Sequence, residues 1–191
     1  MLSEKIGGPS VYPPQPDGIY AFTQNRKGWN TSKGADRYRR AMYTFFYRSA
    51  PYPLFGTFDA PDFQMTCTSR SRSNTPLQAL NIANDEAFME FARGLAARVV
   101  DELPGEAGAK RDARIRLAFE RSMSRDPSAK ELALLTSYGK AVAADFEKAP
   151  DDAKALLDKN LMIGGLPAHE AAALVTVARA IFNTDNFITR E

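Results

Sequence analysis

The stretch from Thr57 to Phe88 reads TFDAPDFQMTCTSRSRSNTPLQALNIANDEAF and is rich in side chains that could do chemistry. Carboxylates, guanidinium groups and amides lie close together in it. We define the polar cluster as Asp59, Arg70, Arg72, Asn74, Gln78, Asn84 and Asp85. Arginine presents a rigid fork of donors that pairs with a carboxylate or another anion through two hydrogen bonds. The polar cluster therefore predicts either a ligand site or a set of internal contacts that holds the fold together.

These two interpretations of the polar cluster differ in what they require. In the first, Asp59 pairs with Arg70 or Arg72 inside the fold while the amides cap helix ends, which needs only local geometry. In the second, the two arginines lie beside a helix start at Thr75 and bind an anionic or polyol ligand, with Asp59 as a candidate acid or base. A ligand site needs an open cleft, whereas internal contacts need paired groups.

The single cysteine, Cys67, lies between Arg70 and the carboxylates of Asp59 and Asp62. With one cysteine, no disulfide can form within the chain. Nearby guanidinium groups favour the reactive thiolate form of a cysteine. No general base accompanies Cys67 in the sequence, so we expect a buried, unreactive thiol. Tyr43 and Tyr47, at helical spacing, are candidates for stacking on a sugar, although plain packing explains such a pair equally well.

One histidine, His169, and one cysteine are too few for most metal and haem chemistry. They exclude a Cys-x-x-Cys-His haem attachment and a zinc site built from histidine and cysteine. The sequence contains no spaced acidic loop of the EF-hand type. His169 has no orienting partner beside it, so we expect an exposed or capping histidine rather than a base. We therefore expect no metal and no cofactor in this chain, and a colourless protein.

The composition of the 191 residues is that of an ordinary globular domain with a real core. The net charge is +2, which gives no electrostatic argument for nucleic acid. Residues 1–75 carry ten basic against five acidic side chains, a weak indication of an acidic ligand. No apolar run is long enough for a membrane span. No apolar segment follows Met1–Lys5, so this chain shows no signal peptide.

Residues 1–35, the N-terminal layer, are rich in proline and glycine, which predicts irregular backbone. They also carry aromatic side chains, which disordered tails usually lack. We therefore expect an extended layer packed on the rest of the fold. Asp36 is then expected to cap a helix over about residues 37–49, in which Tyr38, Met42, Phe45 and Phe46 form one buried stripe. Residues 50–74 show no helical period and predict loop or short strand.

Thr75-Pro76-Leu77-Gln78 predicts a helix start, because threonine and glutamine can form a capping box around a proline at the first helical position. Asn84 and Asp85 predict the cap of a longer helix that ends at Pro104-Gly105. Further helices are predicted at about 111–124, from a capping box at Ser128 to Phe146, at 151–159 and at 168–183. The expected fold is mainly α: an irregular multi-helix bundle with an extended Pro/Gly-rich N-terminal layer. Residues 1–75 and the all-helical body 76–191 are expected to form one domain.

Five segments resemble a single family: GGPSVYPPQPDG (7–18), YRRAMYTFFYRSAP (38–51), FDAP (58–61), RSNTPLQALNIAND (72–85) and DNFITRE (185–191). The chain resembles the C-terminal planctomycete-specific domain of unknown function found in proteins that also carry planctomycete cytochrome c domains. Members of that family continue upstream of the GGPS motif, whereas this chain begins shortly before it. The resemblance implies an exported or periplasmic, multidomain setting with haem only in a separate upstream module. It supplies no reaction.

Two functional hypotheses follow from the residues and the resemblance, and whether the protein is an enzyme stays open. The first is a non-catalytic C-terminal helical domain that packs against upstream domains of the parent protein, or against a protein partner, through its aromatic N-terminal layer. The alternative is part of an enzyme or binding site for an extracellular carbohydrate or anionic substrate, centred on Asp59, Arg70 and Arg72. Under the first hypothesis, we expect the isolated chain to self-associate.

Overall fold

The structure is a computed structural model that describes residues 2–21, 23, 28–61, 63, 65–69, 71, 73–157, 163 and 165–189. The chain forms two compact units, Met1–Ala87 and Phe88–Glu191. In the described residues it is mainly helical, without a strand longer than an isolated bridge, which confirms the predicted fold class. The α-helices are α1 (Pro53–Thr57), α2 (Pro76–Asn84), α3 (Glu86–Glu102), α4 (Ala107–Met123), α5 (Ala129–Lys148), α6 (Pro150–Leu156), α7 (Ala168–Phe182) and α8 (Asp185–Thr189).

The first unit is built around an extended N-terminal arm, which we define as residues 2–16. Isolated parallel bridges join Ser3 to Arg39 and Val11 to Thr44. The Arg39 guanidinium, 6% exposed, also donates to the backbone carbonyls of Lys5 and Gly7, 2.8 and 2.6 Å away. The arm is therefore held largely through its main chain, as a bound extended peptide would be.

The helix predicted over about residues 37–49 is wrong. A short 3-10 turn at Gly34–Asp36 precedes this segment, and the segment itself makes one at Ala41–Tyr43 and is otherwise irregular or extended. Asp36 belongs to the first turn and caps no helix, and Met42, expected in a buried stripe, is 72% exposed. The aromatic side chains and Thr44 in this segment favour extended backbone, and pairing with the N-terminal arm satisfies part of its main chain instead.

Residues 50–74 contain a feature that the sequence analysis missed, the short helix α1, which begins at Pro53 in the first helical position. The helix start at Thr75 is confirmed. The Thr75 side chain accepts from the Gln78 backbone N–H, and the Gln78 side chain accepts from the Thr75 N–H, with Pro76 at the first helical position. Only Asp85 separates α2 from α3. Its carboxylate accepts from the Ala87 N–H at 2.8 Å and so caps the start of α3.

The second unit packs its helices around α7, whose residues are buried on almost every side. α7 lies against α4, α5 and α6. Gly139 on α5 allows this close approach, since a Cβ there would meet Ile115 on α4 and Val177 on α7 at 3.2 Å each. The helices predicted in this part of the chain are confirmed, with ends shifted by a few residues, while residues 158–159 of the helix predicted at 151–159 lie outside the described residues. The short α8 was not predicted; its Phe187 ring stacks on Phe182 with centroids 4.8 Å apart.

Two arginines of the second unit, Arg114 and Arg111, bond groups at helix ends. Arg114, 2% exposed, donates to the carbonyls of Leu103 and Gly105 and so satisfies the end of α3 where Pro104-Gly105 breaks it. Arg111 pairs with Glu170 between α4 and the first turn of α7. Within the described residues, each helix is too short or too polar to cross a bilayer.

Candidate functional site

The described part of the polar cluster begins at Asp59, which follows the end of α1. Its backbone lies in the left-handed region at φ 54°, where short polar side chains are tolerated better than most. This conformation places Oδ2 where it accepts from both the backbone N–H and the hydroxyl of Ser73, at 2.8 and 2.7 Å. Asp59 is half-buried. One of its carboxylate oxygens is thus tied to the loop that leads into α2.

Gln78 continues this network into the interior of the first unit, where its side chain is 1% exposed. Its Nε2 donates to the Thr57 carbonyl and to the Ser73 hydroxyl, both at 2.9 Å, while its Oε1 accepts from the Thr75 N–H. A buried amide with all its groups paired is stabilising, whereas an unpaired one is costly. Asp59, Ser73 and Gln78 therefore form one continuous hydrogen-bonded chain between α1 and α2.

The remaining members of the polar cluster are placed differently. Arg70 and Arg72 lie outside the described residues, so their pairing with Asp59 stays a prediction. Asn84 is exposed and donates to the Leu80 carbonyl within its own helix. Asp85, 8% exposed, caps α3, and burial raises the pKa of its carboxyl group. Asn74 is exposed at the entry to α2.

Two residues of this network, Thr57 and Ser73, were missed in the sequence. The Thr57 carbonyl accepts from Gln78, and the Thr57 hydroxyl accepts from the Asn81 side chain at 3.2 Å. Serine and threonine carry no periodic signal in a loop, so only the SRSNTP context, rich in turn and capping residues, indicated contacts here.

Several further candidates are also placed by the structure. Cys67, expected to be buried, is exposed, and its thiol donates to the Ser69 carbonyl at 3.2 Å. The expectation was wrong because the loop that carries Cys67 lies at the surface. His169 is half-buried in the first turn of α7. The Arg39 guanidinium carbon lies 3.8 Å from the centre of the Tyr43 ring. The Tyr47 hydroxyl donates to the Gly28 carbonyl. Both tyrosines thus have contacts within the first unit.

An aromatic cluster holds the proline residues of the N-terminal arm. The Trp29 indole N–H donates to the Pro13 carbonyl at 2.8 Å, and the Tyr52 hydroxyl donates to the next carbonyl, that of Pro14, at 2.7 Å. The Trp29 and Tyr52 rings are stacked, with their centroids 5.8 Å apart and their planes 6° from parallel. Aromatic side chains that bind proline-rich segments in this way are also typical of proline-peptide recognition. Here the recognised segment belongs to the chain itself.

Beside this aromatic cluster, a concavity of about 470 Å³ opens in the first unit. Gln15, Asp17, Tyr20, Trp29 and Thr31 are among the residues that line it. It was not predicted from the sequence, because its residues were assigned to packing. Among the described residues, no group of three or more histidine, cysteine, aspartate or glutamate side chains is arranged to hold a metal ion.

Comparison with known proteins gives a family and no activity. The model of the family described as PSD1, protein of unknown function (DUF1553), matches residues 1–139. No curated protein and no solved structure matches the chain. The matched segment includes the N-terminal arm, the aromatic cluster, the polar cluster and α2, and it confirms the resemblance seen in the four sequence motifs between residues 7 and 85. The chain belongs to the PSD1 (DUF1553) family.

Proposed function

We propose that this chain is a non-catalytic domain of a larger exported protein and that it packs against a neighbouring domain or a protein partner through the first unit. The orientation of α2 carries the proposal. Gln78 on this helix is 1% exposed, whereas Leu77 and Leu80 are 56% and 59% exposed. Leucines three positions apart share one helix face. A helix that buries its glutamine and exposes its leucines has an apolar face suited to a partner.

Other exposed apolar side chains support the same unit as the contact surface. Of the large apolar residues that are exposed in the described part of the chain, only Leu134 and Tyr138 belong to the second unit. Those in the first unit are Leu2, Ile6, Ile19, Met42, Phe63, Met65, Leu77 and Leu80. The described aromatic rings of the N-terminal layer, those of Tyr12, Tyr20 and Trp29, are largely packed within the unit, so its aliphatic and methionine side chains are the contacts we expect.

The exported, cytochrome c-associated setting of the parent protein is supported by the resemblance of the sequence motifs alone. The enzymatic alternative centred on Asp59 is less well supported. One carboxylate oxygen of Asp59 accepts two hydrogen bonds from Ser73, and the adjoining Gln78 is buried. Groups paired in this way hold a fold, whereas a substrate site needs polar groups that face a cleft.

Hydrogen exchange tests the proposed packing. We expect amides of α2 to exchange more slowly in the parent protein than in the isolated chain, because a partner surface covers Leu77 and Leu80. The double variant Leu77→Lys, Leu80→Lys should abolish that difference. Leu134→Lys on α5, 67% exposed in the native chain, is the matched control and should leave it intact. Equal exchange of α2 in the parent protein and in the isolated chain would contradict the proposal.

A further inference from the structure

The N-terminal arm lies in a groove of the first unit as an extended peptide lies on its receptor. We define the groove as residues 29–52. The Val11 N–H donates to the Tyr43 carbonyl, and the Phe45 N–H donates to the Val11 carbonyl, both at 2.8 Å. This is the parallel pairing by which an extended peptide adds to a strand of another molecule. The main chain of the arm therefore contributes affinity for the groove.

Side chains of the arm make its contact with the groove specific. The Tyr12 ring packs against Trp29 and Phe45, with ring centroids 5.1 Å apart in both pairs. Val11 is 4% exposed, and the side chain of Pro14 is fully buried. The groove thus fits a Val-Tyr-Pro-Pro segment in that order, with aromatic walls for its rings and side-chain donors for its two proline carbonyls.

These contacts do not depend on which copy of the chain supplies the arm. Residues 17–28 join the arm to the groove in the sequence, and the chain turns at Asp17 and Gly18, where the Ala21 N–H donates to the Gly18 carbonyl at 2.9 Å. When two copies exchange identical segments, every contact of the segment is kept and only its connection changes. A short connection holds the arm near its own groove at an effective concentration on the order of 1 mM, which favours the monomer below that value.

We propose that the groove is an interface between two copies of this chain, in which the arm of each copy lies in the groove of the other. The second copy is the occupant that fits, because its arm carries the same Val-Tyr-Pro-Pro segment that the groove is seen to bind. The donors Trp29 and Tyr52 then bond the proline carbonyls of the second copy. This interface is separate from the leucine face of α2 and does not depend on the packing role proposed above.

The turn at Gly18 gives the first test, because its backbone lies in the left-handed region at φ 82°. Glycine adopts this conformation freely, whereas valine is strained in it. Gly18→Val therefore strains the turn of the closed monomer, and exchange of the arms relieves the strain by opening the connection. In size-exclusion chromatography of the full chain with light scattering, this variant should dimerise at a protein concentration at least about tenfold lower than the native chain does.

Gly28→Val is the matched control for the turn. Gly28 lies outside the left-handed region, and at neither glycine would an added Cβ meet another described residue within 4 Å. Gly28→Val should therefore dimerise as the native chain does. A Gly18→Val protein that stays monomeric at millimolar concentration overturns the proposal, and so does an equal shift in both variants.

Paired cysteines show where each arm lies in the dimer. Val11 and Thr44 form a parallel bridge between the arm and the groove. With Cys67→Ser and Gly18→Val present throughout, Val11→Cys chains are mixed with Thr44→Cys chains and oxidised, and peptide mapping should find the disulfide between the two chains. A chain with both cysteines should close the same bond within itself when dilute, which is the control for its geometry. A dimer without the cross-chain disulfide, while the control chain closes its own, places the contact on another surface and overturns the proposal.

Discussion

Tyr52 donates its hydroxyl to the carbonyl of Pro14 at 2.7 Å, in a buried contact between residues 38 positions apart. Proline has no N–H of its own, so an arm rich in proline cannot pair its main chain as a regular strand does. The carbonyls of Pro13 and Pro14 are satisfied by side-chain donors, Trp29 and Tyr52. These two aromatic donors explain how an arm with so few backbone donors is held in a defined position.

Tyr52→Phe should destabilise the protein by about 1–3 kcal/mol, because it leaves the Pro14 carbonyl buried without a donor while keeping the ring. Urea unfolding followed by circular dichroism measures this change in the free energy of unfolding. Tyr138→Phe, at a tyrosine that is 41% exposed, should change it by less than about 0.5 kcal/mol. Equal stability of Tyr52→Phe and the native chain would show that water or another donor replaces Tyr52.

Stability should also fall at alkaline pH because of Tyr52. Burial raises the pKa of Tyr52 well above its ordinary value, with the nearby Asp85 carboxylate adding to the rise. The folded state therefore keeps a proton that the unfolded state loses above about pH 10, and Tyr52 contributes about 1.4 kcal/mol of destabilisation per further pH unit. The difference in unfolding free energy between the native chain and Tyr52→Phe should shrink from pH 9 to pH 11. A constant difference would contradict a raised pKa.

Helix starts were the most predictable part of the fold, because their signals are local. The pairs Thr75/Gln78 and Ser128/Glu131 both form the capping boxes that their three-residue spacing predicts. Proline at the first helical position strengthened the first of them. The order of helices in the second unit was predicted from such caps and from apolar periodicity. Both signals lie within the sequence of each helix and need no contact with a distant segment.

The error at residues 37–49 has the opposite origin. Tyr38, Met42, Phe45 and Phe46 match a helical stripe by spacing, yet the segment pairs with an arm some thirty residues earlier. A contact between distant segments overrides a local pattern, particularly where aromatic residues have weak helix propensity. The concavity at Tyr20 escaped prediction for the same reason, since turns and irregular backbone alone bring its residues together.

Thr75→Ala should cost about 1 kcal/mol of stability, because it removes the side-chain acceptor of the Gln78 N–H at the start of α2 and leaves that N–H only the Thr75 carbonyl. Thr75→Ser keeps a hydroxyl and serves as the control, so it should restore most of that loss. Chemical denaturation with constant m-values checks both variants. A Thr75→Ala protein as stable as Thr75→Ser would mean that Pro76 and the Gln78 side chain suffice to start the helix.

The capping box of α5 should weaken in acid. Hydrogen bonds from Arg125, then from the backbone and hydroxyl of Ser128, lower the pKa of Glu131 to about 2. The stabilisation is therefore present above the ordinary glutamate pKa near 4.3 and is lost as the pH falls from there toward 2. Because Glu131 is partly exposed, we expect an effect below about 1 kcal/mol. Glu131→Gln should flatten this part of the stability–pH curve, whereas an identical acid slope in both proteins would exclude Glu131 as its source.

The buried amide of Gln78 allows the sharpest test of the network between α1 and α2. Gln78→Met keeps the shape of the side chain but leaves the Thr57 carbonyl and the Thr75 N–H without the Gln78 amide, and the Ser73 hydroxyl keeps only its bond to Asp59. We expect a loss of about 2–4 kcal/mol, because these groups lose their partner together. Asp59→Asn keeps an oxygen acceptor for Ser73 and should cost clearly less. Since Gln78 and Asp59 meet at Ser73, the double variant should be less destabilised than the sum of the two single changes, and strict additivity would show that the two side chains act independently.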